Sequence, residues 1–188
     1  MNAATKLTTI RDWLAVEVRR ATRTTPDGWR YANAEAFVLA HGRTAAGGRF
    51  TVEECRYVLE SARRTKLTPV VGQCWRNSRV LLLGDSERRL TYVEGLVGGY
   101  DEPIRHGWLE LDGKVVDVTL NAGAFGLATV PPPSAPWVGS NTPRRWGVEY
   151  FGVPFTRETV EQALESDFAL ADYGPGHEPE MLKGERDG

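Results

Sequence analysis

Three short pieces of this chain carry groups that could do chemistry together: Gly72-Gln73-Cys74-Trp75, then His106-Gly107-Trp108-Leu109-Glu110, then Asp117-Val118-Thr119. A thiol, an imidazole and a carboxylate in that order are what a cysteine nucleophile needs. The thiol attacks a carbonyl only as thiolate, and at its ordinary pKa of about 8.5 it is mostly protonated at neutral pH. An imidazole that takes the proton, or the exposed N–H groups of a helix N-terminus, corrects this. The carboxylate then fixes the ring, holding one nitrogen and leaving the other for sulfur.

The local sequence predicts elements that supply both aids. Pro69 and Gly72 make the approach to the cysteine unfriendly to helix, whereas Cys74 to Leu83 reads as a short helix stopped by Gly84-Asp85, which puts Cys74 in the first turn. His106 and Asp117 fall on a predicted β-hairpin. Residues 105–111 and 114–120 flank Asp112-Gly113, the two-residue signature of a type I′ turn. That turn sets Leu111 opposite Lys114, Glu110 opposite Val115, Trp108 opposite Asp117 and His106 opposite Thr119. With side chains alternating, His106, Trp108 and Glu110 share a face with Val115, Asp117 and Thr119. Asp117 is then the diagonal neighbour of His106, about 7–8 Å away between backbones, a gap the side chains can close.

Gly72-Gln73-Cys74-Trp75, His106-x-Trp108-x-Glu110 and Asp117-x-Thr119 together resemble the active-site signature of the transglutaminase-like superfamily, which shares its core with papain-like cysteine peptidases. The resemblance spans Val71 to Asn121, with support at Tyr150-Phe151-Gly152-Val153. It implies an α+β fold: N-terminal helices, and a catalytic-cysteine helix packed on an antiparallel β-sheet. It also implies Cys74 as nucleophile, His106 as general base and then acid, and Asp117 as the residue orienting it. The short Cys74–His106 spacing is like that of compact bacterial or phage-type members. No acidic calcium loop is present, so calcium dependence does not carry over. The first oxyanion donor is expected to be the backbone N–H of Cys74. Gln73 is the side-chain candidate for a second, although it adjoins the cysteine where papain-like enzymes place a glutamine several residues earlier. Trp75, Trp108, Glu94, Glu110 and Thr119 are expected to support the site. Trp108 is expected to pack over the His–Asp pair, and the two glutamates to make cross-strand ion pairs or hydrogen bonds.

At 188 residues the chain is long enough for one domain with a proper core. The expected organisation is a single domain over 1–173, with a helical part at 1–66, a catalytic core at 67–173, and a polar tail at 174–188 that contains His177. A net charge of −2 and a pI near 6.0 give no general reason to bind nucleic acid or an anionic membrane. The arginine pairs at 19–20, 63–64, 88–89 and 144–145 are dispersed among acids and read as solvated surface. No signal peptide or membrane span is evident. With only Cys55 and Cys74 there is no disulfide framework, which points to a reducing, cytoplasmic setting, although sequence leaves one blocking Cys55–Cys74 bridge open.

Leu7 to Arg20, Tyr31 to His41 and Thr51 to Thr65 read as helices, the third opened by a Thr51–Glu54 capping box. Cys55 lies on the apolar stripe of that third helix and reads as a small buried hydrophobe. His41 reads as a helix-end or surface histidine. Leu90 to Val97 is a strand leading into the hairpin, Trp146 to Phe155 a final strand, and Thr156 to Leu170 a last helix. Asn121 to Pro143 is too long and irregular for an ordinary turn; it forms either a lid whose Phe125 and Trp137 touch substrate, or a loop packed on the protein's own core.

Three function classes follow. The first is an enzyme that forms a Cys74 thioester from an amide, such as a glutamine carboxamide or peptide bond, and passes the acyl group to an amine or water. Its substrate is a peptide, a protein or a small amide, and it needs no cofactor. The second is an inactive relative that binds a peptide or protein partner in the same cleft. The third is a metal site of Cys74, His106 and Asp117, with or without Cys55, disfavoured because zinc sites usually offer closely spaced ligand pairs and none exists here.

Overall fold

A computed structural model describes residues 9–21, 25, 30–46, 48, 50–98, 102–120 and 149–162. The expectations for Asn121 to Pro143 with Phe125 and Trp137, for the first residues of the last strand, for the end of the last helix, and for the tail with His177 lie outside them. Five helices are described: α1 (Ile10–Arg20), α2 (Ala34–His41), α3 (Val52–Arg64), α4 (Cys74–Leu83) and α5 (Arg157–Gln162). The strands are β1 (Arg43–Thr44), β2 (Leu90–Val97), β3 (Ile104–Leu111), β4 (Lys114–Val116) and β5 (Tyr150–Phe155).

Side-chain caps decide where the helices begin. Thr9 accepts from the Asp12 amide at 3.1 Å and Asn33 from the Ala36 amide at 2.8 Å, so α2 starts at Ala34 and not at Tyr31. Thr51 and Glu54 form the anticipated capping box on α3.

The strands form one sheet in the order β1-β5-β2-β3-β4, with every ladder antiparallel, so the chain is α+β. The β2–β3–β4 meander is as anticipated; the two-residue β1 is not visible in any sequence pattern. The sheet curls. Its two ends approach through a bridge between Ala46, just after β1, and Lys114 of β4, and through an ion pair between Arg43 of β1 and Glu110 of β3.

The sheet's two faces bury different things. On the outer face Tyr92, Leu96, Leu109, Leu111, Phe151 and Val153 pack with Leu14, Phe37, Val58 and Leu81 from the helices. Within the curl a smaller cluster joins Ala45, Val93, Val97, Trp108, Val115 and Tyr150. Cys55 belongs to the outer cluster, as its place on the α3 stripe suggests.

The hairpin turn has φ of 50° at Asp112 and 79° at Gly113, both positive as a type I′ turn requires. It imposes the anticipated pairs Leu111–Lys114 and Glu110–Val115, followed by Leu109–Val116. There the ladder ends. The strand expected to run to Leu120 stops at Val116, so Trp108–Asp117 and His106–Thr119 do not form as ladder pairs. Asp117 instead accepts from the Thr119 and Leu120 amides, each at 2.9 Å, bending the chain into a turn that competes with the strand.

Candidate active site

Cys74 is the first residue of α4. Gln73, the N-cap, is exposed and gives no side-chain cap bond, and no acidic residue stands in the first turn. The positive end of the helix is therefore not offset locally by a carboxylate. Gln73 is thus next to the thiol without being buried or bonded into the site.

α4 lies against β3 and β2, and Gly107 sets how closely. A Cβ built there would sit 2.6 Å from Trp75 Cδ1 and 3.2 Å from Tyr92 Oη, well inside ordinary contact. Ser78 Oγ donates to the Gly107 carbonyl at 3.0 Å and reinforces the approach. Farther along the helix, Arg79 donates to Glu94 Oε1 at 3.1 Å and to the Tyr92 hydroxyl at 3.3 Å, while Tyr92 also donates to Glu94. Burial, with Glu94 beside it, holds the Tyr92 hydroxyl well above its ordinary pKa, so it remains a neutral donor. Glu94 therefore supports the helix–sheet contact through Arg79 of α4 and Tyr92 of its own strand, as a hydrogen-bonding support and not as a cross-strand ion pair. Glu110 pairs with Arg43 across the closing edge of the curl.

The three chemistry-bearing side chains come together. His106 Nε2 is 2.7 Å from Asp117 Oδ2, and the Cys74 side chain lies near enough to the same imidazole to add to its electrostatic environment. Since Nε2 is given to Asp117, Nδ1 is the ring nitrogen left for sulfur. All three are buried, with Cys74 8%, His106 3% and Asp117 1% exposed.

Electrostatics favour the charged imidazole. Burial opposes it, but the Asp117 charge and hydrogen bond, with smaller contributions from Cys74, raise the His106 pKa to about 10. Burial likewise opposes ionisation of Asp117. There the charge and hydrogen bond of His106, the Leu120 amide and the Tyr150 hydroxyl outweigh it and hold the carboxyl below its ordinary range. By contrast, burial and the neighbouring Glu54 push the Cys55 thiol up.

Tyr150, on β5, donates to Asp117 Oδ2 at 2.8 Å. In sequence it stood out only as part of a matching stretch, because nothing local links positions so far apart. Trp108 is fully buried, its ring centroid 6.4 Å from that of His106 at an interplanar angle of 14°, and 5.2 Å from Tyr150 edge-to-face. It thus walls the inner side of the pair. Trp75 is half-buried against Gly107, and the Thr119 hydroxyl accepts from α4. Ser78 had one available signal: it is a polar residue four positions after Cys74, on the same face of the helix one turn on.

Both cysteines are free, and the described residues contain no cluster of His, Cys, Asp and Glu arranged to hold a metal ion. Among the described residues no helix is long and apolar enough to cross a membrane. The fold and the site define an α+β protein with a buried thiol–imidazole–carboxylate constellation. No protein-family model, no curated protein and no solved structure matches the chain.

Proposed function

We propose that the protein is a cysteine-dependent acyltransferase or hydrolase acting on amides, a compact transglutaminase-like member of the papain-like group. The single observation that carries this reading is the buried His106 imidazole bonded to Asp117 with the buried Cys74 thiol beside it. In the proposed reaction the thiolate attacks the amide carbonyl carbon, forming a C–S bond. The developing oxyanion is met by the Cys74 backbone N–H at the helix start. The His106 imidazolium passes its proton to the departing nitrogen as the C–N bond breaks, leaving a Cys74 thioester. His106, now neutral, takes a proton from water or an amine as that acceptor attacks, and the thiolate leaves. Asp117 keeps the ring in one orientation throughout and stabilises its charged form. A peptide, protein or small amide is the substrate, and a reducing, cytoplasmic setting suits a nucleophile that must stay unoxidised.

The test is alkylation by iodoacetamide near pH 6, well below the ordinary thiol pKa of about 8.5, followed by peptide mapping. Cys55 is a built-in control, because both thiols are 8% exposed and access alone does not separate them. Cys74 is expected to react at least about tenfold faster than Cys55, and to lose that lead in His106→Ala. Equal, sluggish alkylation of both would leave the cleft as a binding site only. Mass spectrometry of a glutaminyl peptide incubated with and without a primary amine then separates transfer from hydrolysis.

A further inference from the structure

Asn77 is fully buried on α4, one turn beyond Cys74. Its carboxamide bonds in two directions. Oδ1 accepts from the Val70 amide at 3.1 Å, while Nδ2 donates to the Val70 carbonyl at 2.8 Å and to Thr119 Oγ1 at 3.0 Å. Val70 belongs to the loop that leads into the cysteine, and its carbonyl also accepts from the Gln73 amide at 3.1 Å. Thr119 belongs to the turn that carries the carboxylate, and its own amide donates to Asp117 Oδ1. One side chain is therefore bonded to the approach to the nucleophile and to the turn that holds the imidazole's partner.

The donor and acceptor pattern is selective. Both the N–H and the C=O of Val70 are satisfied by one planar group, which needs an acceptor and a donor side by side, and a second donor must remain for Thr119. Among side chains only a primary amide supplies that set without charge. Leucine or alanine at position 77 would serve an ordinary helix face better, since a buried amide is costly unless its bonds are made.

We propose that Asn77 is a positioning residue that clamps the cysteine loop to the Asp117 turn and so fixes the separation of the Cys74 sulfur and the His106 ring. The role rests on the acyl-transfer reading above, but it can be tested apart from activity. His106 is faced by Asp117 from the turn, by Cys74 from α4, and by Tyr150 through Asp117; a slackened clamp alters the first two.

The experiment compares wild type, Thr119→Val, Thr119→Ser and Asn77→Ala by NMR titration of the His106 ring and by Cys74 alkylation. Thr119→Val keeps the branched shape and the backbone donor to Asp117 but removes the acceptor for Asn77. It is expected to move the His106 titration towards the ordinary value of about 6.5 and to slow Cys74 alkylation by about tenfold. Asn77→Ala is expected to do the same, and Thr119→Ser to restore wild-type behaviour. Thermal melts establish that each variant is folded at the temperature used. A lower melting temperature with an unmoved His106 titration in Thr119→Val would assign Asn77 a purely structural role and overturn the proposal. If wild-type Cys74 has no lead over Cys55, the acyl-transfer reading falls, and the His106 titration still decides whether Asn77 positions the ring.

Discussion

Replacing Gly107 by alanine tests whether the helix–strand contact sets the geometry of the site. The new Cβ would lie 2.6 Å from Trp75 Cδ1 and 3.4 Å from Trp75 Cα. Ordinary carbon–carbon contact is about 3.5–4.0 Å, so the start of α4 must retreat by about 1 Å or the indole must leave its place. Two opposing effects are at work. Alanine restricts the unfolded chain more than glycine and, where the native backbone tolerates it, stabilises by about 0.4–1 kcal/mol. Overpacking a tight contact costs about 1–3 kcal/mol, and the clash is with ring and backbone atoms that have little freedom to yield. The steric effect wins, and the melting temperature should fall by up to about 12 °C at about 2–4 °C per kcal/mol for a chain of this size. The chemistry should suffer more than the fold, since a misplacement of about 1 Å can cost a factor of about 100 in a positioned reaction. Scanning calorimetry and Cys74 alkylation of the folded protein measure the two effects. An unchanged or higher melting temperature with undiminished Cys74 reactivity would show that Gly107 does not govern the approach of the helix.

Two further outcomes concern the imidazole and its carboxylate. Replacing Tyr150 by phenylalanine removes one donor from buried Asp117, at a cost of about 1–3 kcal/mol, and leaves the carboxylate a stronger acceptor for His106. The His106 ring should then titrate above its wild-type value by NMR, and a downward shift would count against Tyr150 sharing Asp117 in this way. The second outcome is a pH dependence of stability. His106 has a folded pKa of about 10, above its unfolded value, so its contribution is complete below about pH 6.5 and is lost as pH rises through 10. Asp117 is depressed, so its contribution is present above the ordinary carboxylate range and is lost only in acid. The stability gap between wild type and His106→Gln, measured by urea denaturation, should therefore shrink steadily from pH 6.5 to 10; a constant gap would contradict the ion pair.

Much of the frame around the site was legible in sequence because short-range rules dictate it. The Thr51–Glu54 box, the Asp112-Gly113 turn and the bounds of α4 each depend on residues a few positions apart. The long-range partners of the supporting residues were not legible. Tyr150 reaches Asp117 only because β5 returns beside β2, pairing Tyr150 with Val97. Glu94 meets Arg79 because α4 lies across the outer face of the sheet, and no strand pattern announces a helix partner. The two-residue β1 forms only by adding to β5, pairing Arg43 with Gly152 and Thr44 with Phe151.

The early end of β4 is the difference that bears most on chemistry. Alternation from Lys114 to Leu120 favours a longer strand, and that strand would still put Asp117 on the correct face. It would also pair with β3 as far as His106 and cover the edge of the sheet there. β3 is paired along its whole length with β2 on one side, but with β4 only from Leu109 to Leu111 on the other. Among the described residues, β3 beside His106 has no strand partner on that side, next to Gly107, which lies against Trp75 of α4. Asp117 causes this opening, since by drawing the Thr119 and Leu120 amides onto Oδ1 it turns the chain away from the ladder. Its other oxygen then ties the departing chain to β3 through His106 and to β5 through Tyr150. The carboxylate that bonds the imidazole thus also turns the chain out of its ladder with β3.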